Sequence, residues 1–412
     1  MKFVPFFLLA LLLAAATFLL WITGKPELTE LTDAATSAQL DSMLPSDAEN
    51  GNKVDTYANM KDMYGTLMTD IGNAKHHIHF LFFKYEPDGV GREIGAALAA
   101  QTQAGVEVRL LYDDILCRRW RDYYRQLESQ GVETAGFGAV HPPFIRKRDY
   151  YRNHRKIIVV DGRVAYIGGI NVADRYLNGL DWGCWRDTII RIEGPAVALA
   201  QRAFAADWHY ATDRLLAAPV YFPEVCEQGA FPVRIITSGP IGAGPAIMRH
   251  TVSLLDRASQ YVWFESPYFI PPDEVRKAML DAARRGVDVR VLLPPRGDRG
   301  ETTQWASKSY FTEALRAGVR IGLYQPGYLH SKIIVCDDAV GVVGSCNIDP
   351  RSYLLCEEIA AVIESPAYAR ELKDLFLTDE AQSHYIRADE WDSRPLANKV
   401  KEAAARTLAS QL

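Results

Sequence analysis

The sequence lacks the cysteine patterns that usually indicate chemistry. Its six cysteines include no C-x-x-C pair and no zinc-ligand spacing, which argues against a redox or structural metal role. Positive charge is not in excess either, because 46 Lys and Arg face 51 Asp and Glu, for a net charge of −5. This balance argues against a protein that coats nucleic acid along its whole surface, and it leaves room for a local basic groove. No long segment has the composition of a disordered tail, so a folded body is predicted.

A long apolar run is present at the amino terminus. Residues 3–22 are almost wholly apolar, and a helix of about 20 residues spans a bilayer core of about 30 Å. We therefore predict a single transmembrane anchor over residues 1–24. A cleaved signal peptide is the alternative, although its apolar region is usually about 7–15 residues long. The polar residues 25–55 are expected to link the anchor to the body, and the flanking charges leave the side of the membrane open.

The rest of the chain is predicted to be an α/β body made of two similar halves. At 412 residues, the chain is about twice the usual domain size. The segments AGVEVRLL and RGVDVRVLL, which begin at residues 104 and 285, are near copies. Each follows a predicted strand and helix, a pattern that indicates a parallel sheet. The predicted elements are a helix at 57–71, strands at 76–85, 106–114, 260–270 and 287–295, and helices at 90–105 and 273–286. Prolines cluster between the halves, which we place at residues 56–218 and 232–412.

One motif occurs twice at the same internal spacing. Residues 153–171 read NHRKIIVVDGRVAYIGGIN, and residues 329–347 read LHSKIIVCDDAVGVVGSCN. Strand side chains alternate, so the His and Lys of each motif share a face, and a returning strand brings the small residues and the Asn beside them. A single His-x-Lys would usually be structural, but five repeated landmarks predict one site. The predicted members are His154, Lys156, Gly168, Gly169 and Asn171 from the first motif and His330, Lys332, Gly344, Ser345 and Asn347 from the second.

These side chains suit a phosphate. Two ammonium groups and two amides can hold its oxygens, and the glycines let the backbone approach a ligand. One histidine can act as the nucleophile and the other as the general acid, without a metal. Asp161 and Asp337 belong to the motif but lie at the far end of the strand from the histidines, so we interpret them as turn and salt-bridge residues. A non-enzymatic binding protein is disfavoured, because every catalytic position is filled in both halves.

The duplicated motif is similar to the signature of the phospholipase D superfamily. Segments such as IGGINVADRYL, SPYFIPPDE and GSCNIDPRSYLLCEEIAAVI narrow the resemblance to bacterial cardiolipin synthases, over about residues 55–412. The resemblance implies an internally duplicated α/β fold, in which two α/β/α sandwich halves share one active site behind a single amino-terminal transmembrane helix. It implies no cofactor and no metal.

The resemblance also implies roles for the site residues. His154 would be the nucleophile that becomes phosphatidylated, and His330 would be the acid that protonates the leaving glycerol. Lys156, Lys332, Asn171 and Asn347 would hold phosphate oxygens. Asp187 and Glu358 occupy the places where the family supplies a carboxylate to orient each histidine, and the neighbouring Glu357 is expected to face solvent.

The implied activity is that of a membrane-anchored phosphatidyltransferase in the bacterial inner membrane, which joins two phosphatidylglycerols into cardiolipin and releases glycerol. The alternative is a phospholipase D or nuclease-type phosphodiesterase that uses water as the acceptor. No obligatory protein partner is evident, and a nucleic-acid partner is not favoured. Leu81 stands where synthases of this family usually carry Glu, and the chain has one amino-terminal apolar segment where many have two.

Two further patterns are ambiguous. The segment HHIH at 76–79 could bind zinc, but a strand face is enough to explain it. The basic and aromatic runs at 118–125 and 146–156 could form a rim that attracts anionic lipid headgroups or a nucleotide chain, or they could be plain solvated faces.

Overall fold

The computed structural model describes residues 32–139, 150–297 and 300–409. Their strands are, in chain order, β1 (Lys53–Tyr57), β2 (His77–Phe82), β3 (Glu107–Asp113), β4 (Glu133–Phe137), β5 (Arg152–Asn153), β6 (Lys156–Val160), β7 (Val164–Gly168), β8 (Cys184–Arg186), β9 (Ile189–Glu193), β10 (Arg234–Ser238), β11 (Tyr261–Glu265), β12 (Asp288–Leu293), β13 (Arg320–Tyr324), β14 (Gly327–Leu329), β15 (Ile333–Cys336), β16 (Val340–Gly344), β17 (Cys356–Ile363) and β18 (Ser383–Tyr385). The α-helices are α1 (Ala34–Asp41), α2 (Met60–Asn73), α3 (Gly89–Gln103), α4 (Asp114–Cys117), α5 (Arg121–Ser129), α6 (Asp174–Asn178), α7 (Val197–Thr212), α8 (Ala246–Arg257), α9 (Asp273–Arg284), α10 (Glu301–Lys308), α11 (Phe311–Ala317), α12 (Pro350–Leu354), α13 (Pro366–Glu380), α14 (Ala388–Asp392) and α15 (Leu396–Arg406).

Two large sheets repeat one topology. In the first, the strand order is β1-β9-β7-β6-β2-β3-β4, and in the second it is β10-β17-β16-β15-β11-β12-β13-β18, with β5 added beside β17. In both sheets the central strand, β2 or β11, pairs in parallel with the strand that follows it and antiparallel with the motif strand, β6 or β15. The predicted α/β fold is confirmed, but its sheets are mixed, whereas the sequence pattern indicated parallel sheets.

The motif strands are buried on both faces. Every residue of β6 is buried, and its apolar side chains alternate between two cores, as strand geometry requires. Ile157 and Val159 join a cluster that also contains Ile333 and Val335 of β15, together with side chains of α7 and α13. Ile158 and Val160 join a cluster formed almost entirely by the first half. One apolar core therefore runs continuously between the two sheets and fixes how they face each other.

Part of the predicted linker, residues 25–55, has regular structure, because it contains α1 and the first residues of β1. Helix α1 begins at an N-cap, Asp33, whose carboxylate accepts the backbone N–H of Thr36 at 2.7 Å. Leu40 of this helix is fully buried in the shared core, and Asp41 pairs with Arg202 of α7 at 2.5 Å. The following helix begins at Met60 rather than at residue 57, since Asn59 caps it by accepting the N–H of Asp62 at 2.9 Å.

The predicted anchor, residues 1–24, lies outside the described residues. Among residues 32–139, 150–297 and 300–409, the helices are all too short or too polar to cross a bilayer.

The motif aspartates lie in hairpin turns. Asp161 and Asp337 have φ angles of 53° and 51°, and each carboxylate accepts three successive backbone N–H groups at the start of the neighbouring strand, those of residues 75–77 and 259–261. They therefore tie each motif hairpin to β2 or β11. The salt bridges expected of them do not occur within the described residues, because backbone N–H groups already satisfy both carboxylates.

Candidate active site

Both motif histidines line one cavity of about 560 Å³ between the two sheets. Its wall consists of Phe83, Lys84, Leu116, His154, Asn171, Arg175, Tyr176, Tyr268, Ile270, Thr303, His330, Asp349 and Arg351. Both halves thus contribute to the same wall, with His154 and Arg175 from the first half and His330 and Arg351 from the second. The volume suits a polar headgroup of the size that small-molecule sites usually enclose.

Each histidine is paired with a carboxylate from the other half. His154 Nδ1 lies 2.9 Å from Glu358 Oε1, and His330 Nδ1 lies 2.5 Å from Asp187 Oδ2. All four side chains are buried. Because the ionised carboxylates can only accept, each Nδ1 carries a proton, and each Nε2 is left for chemistry: it offers a lone pair when the ring is neutral and a proton when the ring is an imidazolium.

The surroundings keep the first imidazole neutral and its carboxylate charged. Burial lowers the pKa of His154 to about 3, an effect that Glu358 opposes and Lys156 strengthens. Burial alone would raise the pKa of Glu358, but His154 and Lys156 outweigh it and hold that pKa below its usual value. A neutral imidazole oriented by a carboxylate is the form that can attack phosphorus.

The motif lysines are buried beside the histidines but outside the cavity wall. The Nζ of Lys156 donates to the backbone oxygen of His154 at 2.6 Å, and Lys332 donates in the same way to His330. Burial lowers the pKa of Lys156 to about 7, opposed by Glu358 and aided by the charge of Lys332. The charge of Lys332 thus disfavours the ammonium form of Lys156, and an anion beside the two side chains would favour that form again.

Gly169 and Ser345 occupy equivalent motif positions and contact the two carboxylates differently. A Cβ at Gly169 would lie 2.1 Å from Asp187 Oδ1, so only glycine leaves room for that carboxylate. Ser345 instead donates its hydroxyl to Glu358 Oε2 and accepts the N–H of Ile359 at 3.0 Å. The two histidine–carboxylate pairs are therefore supported by different groups.

The remaining predicted residues lie at the ends of the motif hairpins. A Cβ at Gly168 would lie 2.4 Å from the backbone oxygen of Thr188, and one at Gly344 would lie 2.5 Å from that of Ile359. Glycine at both positions therefore lets the neighbouring backbone segments approach closely. Asn171 is in the cavity wall, where its Nδ2 donates to the hydroxyl of Tyr176 at 2.7 Å. Asn347 is buried outside that wall, and its Oδ1 has no hydrogen-bond partner among the described residues.

The prediction that Glu357 faces solvent is wrong. Glu357 is fully buried, because β17 is an interior strand covered on both faces. Its carboxylate pairs with Arg155 at 2.8 Å and accepts the N–H of Ile241 at 2.8 Å. Arg155 also pairs with Asp207 at 2.5 Å. Burial raises the pKa of Glu357 to about 8, and Arg155 limits the rise.

The basic run before the first motif is therefore not a solvated rim where it is described. Arg155 is 1 % exposed, and Arg152 is 3 % exposed. Arg152 lies 3.4 Å from Asp113 and donates to the backbone oxygen of Gly138 at 3.0 Å. In the other basic run, Tyr124 is buried and donates to a backbone oxygen at 2.6 Å. Residues 140–149 lie outside the described parts of the chain.

A second buried ion cluster, which the sequence patterns did not reveal, lies behind His330. Arg186, next to Asp187, pairs with Asp379 at 2.7 Å and with Glu265 at 3.5 Å. Burial raises the pKa of Glu265 to about 8, although Arg186 opposes the shift. Glu265 opposes Ile333 in the second sheet as Leu81 opposes Ile157 in the first. The glutamate missing at Leu81 is thus present at the equivalent position of the second half.

Two histidines of HHIH, His77 and His79, are buried, whereas His76 is exposed. His79 Nδ1 lies 2.8 Å from Gln201 Oε1, and its ring stacks on Phe204 with 4.5 Å between centroids. Its other nitrogen lies 3.2 Å from Arg109. The described part of the chain contains no group of three or more His, Cys, Asp or Glu side chains placed to hold a metal.

The duplicated α/β fold, the two carboxylate-paired imidazoles in the wall of one cavity and the two lysines buried beside them are those of an enzyme of the phospholipase D superfamily. A family model described as "Cardiolipin synthase, PLD-like domain" matches residues 67–208 and 251–379. The chain belongs to this cardiolipin synthase, PLD-like family.

Named relatives agree with this family. The chain is similar to a cardiolipin synthase of Geobacillus kaustophilus, with 35 % identity over 360 residues that cover 86 % of this chain and 71 % of that protein. It is also 35 % identical to the major cardiolipin synthase ClsA of Bacillus subtilis over 363 residues, which cover 87 % of this chain and 75 % of that one.

Solved structures support the fold. A phosphatidylserine synthase of Haemophilus influenzae aligns with a TM-score of 0.66 at 14 % identity, and the match covers 92 % of this chain and all of that one. A polyphosphate kinase of Porphyromonas gingivalis aligns with a TM-score of 0.54 at 13 % identity, over 87 % of this chain and 53 % of that one. At these identities the likeness concerns the architecture alone.

Proposed function

We propose that this protein is a membrane-anchored cardiolipin synthase, which condenses two phosphatidylglycerols into cardiolipin and glycerol. The observation that carries the proposal is the placement of His154 and His330 in the wall of one cavity, each held by a carboxylate of the other half. The names of the relatives supply the product, cardiolipin. On this proposal the two halves, residues 56–218 and 232–412, are two α/β/α sandwiches that share one active site.

In the first step, Nε2 of His154 attacks the phosphorus of the donor phosphatidylglycerol. A phosphorus–nitrogen bond forms as the bond to the headgroup oxygen breaks. His330, which enters the step as an imidazolium stabilised by Asp187, donates its Nε2 proton to that oxygen, so glycerol leaves neutral. The charge that grows on the phosphoryl oxygens is stabilised by Lys156 and Lys332, with Asn171 and Asn347 as amide donors. Glu358 stabilises the positive charge that develops on His154.

In the second step, the now neutral His330 accepts a proton from a headgroup hydroxyl of the acceptor phosphatidylglycerol. That oxygen attacks the phosphorus, the bond to His154 breaks, and cardiolipin is released. Asp187 stabilises the imidazolium that forms on His330. Protons and charge balance over the cycle, and the residues of the chain supply each transfer.

The apolar segment at residues 3–22 would hold the body at the bilayer that contains both substrates. We place the enzyme in the bacterial inner membrane with a single amino-terminal span. Phosphatidylglycerol and the membrane are then the partners that the reaction requires.

The experiment uses the full-length protein in phosphatidylglycerol vesicles. We expect cardiolipin and free glycerol in equal amounts, no product from His154→Ala, and no inhibition by a chelator. Phosphatidic acid alone would show that water is the acceptor and would replace this proposal with phospholipid hydrolysis. Cleavage of an oligonucleotide at a comparable rate would replace it with a nuclease. Full turnover by His154→Ala would overturn the mechanism in either case.

A further inference from the structure

The internal duplication gives each residue of the cavity wall a counterpart in the other half. The isolated bridges Tyr85 to Val172 and Phe269 to Ile348 are equivalent, because each connects the segment after the central strand to the residue after the motif Asn. Equivalent hydrogen bonds extend both pairings by one residue. The N–H of Glu86 donates to the oxygen of residue 172 at 2.9 Å, and the N–H of Ile270 donates to the oxygen of residue 348 at 2.8 Å. Glu86 and Ile270 are therefore counterparts.

Arg175 and Arg351 are counterparts by the same rule. Each lies four residues after the motif Asn of its half, and both line the cavity. Arg175 pairs with Glu86 at 2.7 Å, and Lys84 shares that carboxylate at 2.6 Å. In the second half the carboxylate position is Ile270, which cannot compensate a charge.

Arg351 has no ion pair within the described ranges. The nearby carboxylates are engaged elsewhere, since Asp349 caps α12 by accepting the N–H of Ser352 at 2.6 Å. Asp113 feels the charge of Arg351, and the positive charge opposes the rise that burial causes in the Asp113 pKa. However, Asp113 is paired with Arg152 at 3.4 Å. Among the described residues, the wall therefore holds one half-buried guanidinium, that of Arg351, without a paired carboxylate.

We infer that Arg351 binds a second phosphodiester in this cavity, the non-reacting one of the acceptor phosphatidylglycerol. The inference rests on the proposed function, because cardiolipin synthesis brings two phosphodiesters together with one glycerol between them. The second phosphate must then lie in the same cavity as the reacting one, yet away from Lys156 and Lys332. A planar guanidinium matches two phosphate oxygens at once, which makes arginine the natural residue for this subsite.

The test separates acceptors that carry a phosphate from one that does not. Phosphatidylglycerol vesicles are incubated with labelled glycerol, and two products of the same donor are counted: cardiolipin, and phosphatidylglycerol that has exchanged its headgroup for labelled glycerol. Arg351→Gln is expected to lower the ratio of cardiolipin to exchange at least about tenfold, as the loss of a charge-assisted bond predicts. Arg351→Lys is expected to fall between the wild type and this variant.

Two further variants control for charge and folding. Ile270→Glu supplies the carboxylate that the second half lacks, and it should lower the same ratio by neutralising Arg351. Arg249→Gln removes an exposed arginine of α8 outside the cavity, and it should leave the ratio within about twofold. Equal losses of both products in Arg351→Gln would place Arg351 at the reacting phosphate and overturn the inference, as would an unchanged ratio. A wild-type enzyme that exchanges glycerol but forms no cardiolipin would instead refute the proposed function.

Discussion

Each motif histidine is paired with a carboxylate of the other half, His154 with Glu358 and His330 with Asp187. This crossed pairing predicts that the two carboxylates serve different chemical steps. Glu358→Gln keeps an oxygen for the Nδ1–H of His154 and a polar group for Ser345, but it removes the negative charge 2.9 Å from the ring. Asp187→Asn does the same behind His330. Both variants should slow cardiolipin synthesis, the first by weakening the nucleophile and the second by weakening the acid.

The size of the effect follows from the loss of one buried charge. A hydrogen bond to a charged group contributes about 1.5–3 kcal/mol, which corresponds to about 10- to 150-fold in rate. Two unit charges about 4 Å apart interact by about 4 kcal/mol at an effective dielectric constant of about 20, which sets an upper limit near 10³-fold. With the natural lipid, we expect both variants to lose between about 10-fold and 10³-fold.

An activated leaving group distinguishes the two variants. Phosphatidyl-p-nitrophenol releases nitrophenolate without needing a proton, so its first turnover depends on His154 and not on His330. In a stopped-flow measurement of the nitrophenol burst, Asp187→Asn should approach the wild-type rate, and Glu358→Gln should keep its full defect. Thermal melting should show that both variants are folded. If the activated substrate restored the burst rate of Glu358→Gln and left Asp187→Asn slow, His154 would not be the nucleophile, and His330 would take that role.

Three other perturbations test the site. Because burial lowers the pKa of Lys156 to about 7, the free enzyme loses the charge of this lysine as pH rises through 7. The KM for phosphatidylglycerol should therefore rise about tenfold between about pH 6 and 8.5. A KM that does not change with pH would contradict a phosphate-binding role for Lys156. Gly169→Ala should displace Asp187 from His330, since the added Cβ would lie 2.1 Å from its Oδ1. Cardiolipin synthesis should then fall at least about tenfold, while the nitrophenol burst persists. Arg155→Met leaves two buried carboxylates without their cation, and chemical denaturation should show a loss of about 3–5 kcal/mol in the free energy of unfolding; a loss below about 1 kcal/mol would contradict the ion pairing.

The repeated motif made the α/β class and the family predictable from the sequence. Identical spacing in two places requires two hairpins of the same geometry, and β6–β7 and β15–β16 are those hairpins. The parallel pairs β2–β3 and β11–β12 likewise follow from two apolar strands with a helix between them. In each case the information is local, within about 40 residues of chain.

What the sequence did not reveal depends on contacts between distant segments. The crossed pairing arises only when the halves dock, because 204 positions separate His154 from Glu358. Strand alternation suggested that Glu357 faces solvent, but both faces of β17 are covered, and the second face carries its own ion cluster. Arg155 reads as part of a basic surface run, whereas it is the cation of that cluster. A charge pattern along one strand cannot show which helix will cover it.

The exchange of carboxylates between the halves also has a consequence for how the enzyme comes into being. A ribosome makes His154 long before it makes Glu358, so a partly synthesised chain carries a nucleophile that nothing yet orients. On the proposed mechanism, attack on phospholipids waits until β17 has been made and has docked beside His154. The same dependence applies to the finished protein, because separation of the two sheets would break both histidine–carboxylate pairs and stop both chemical steps together.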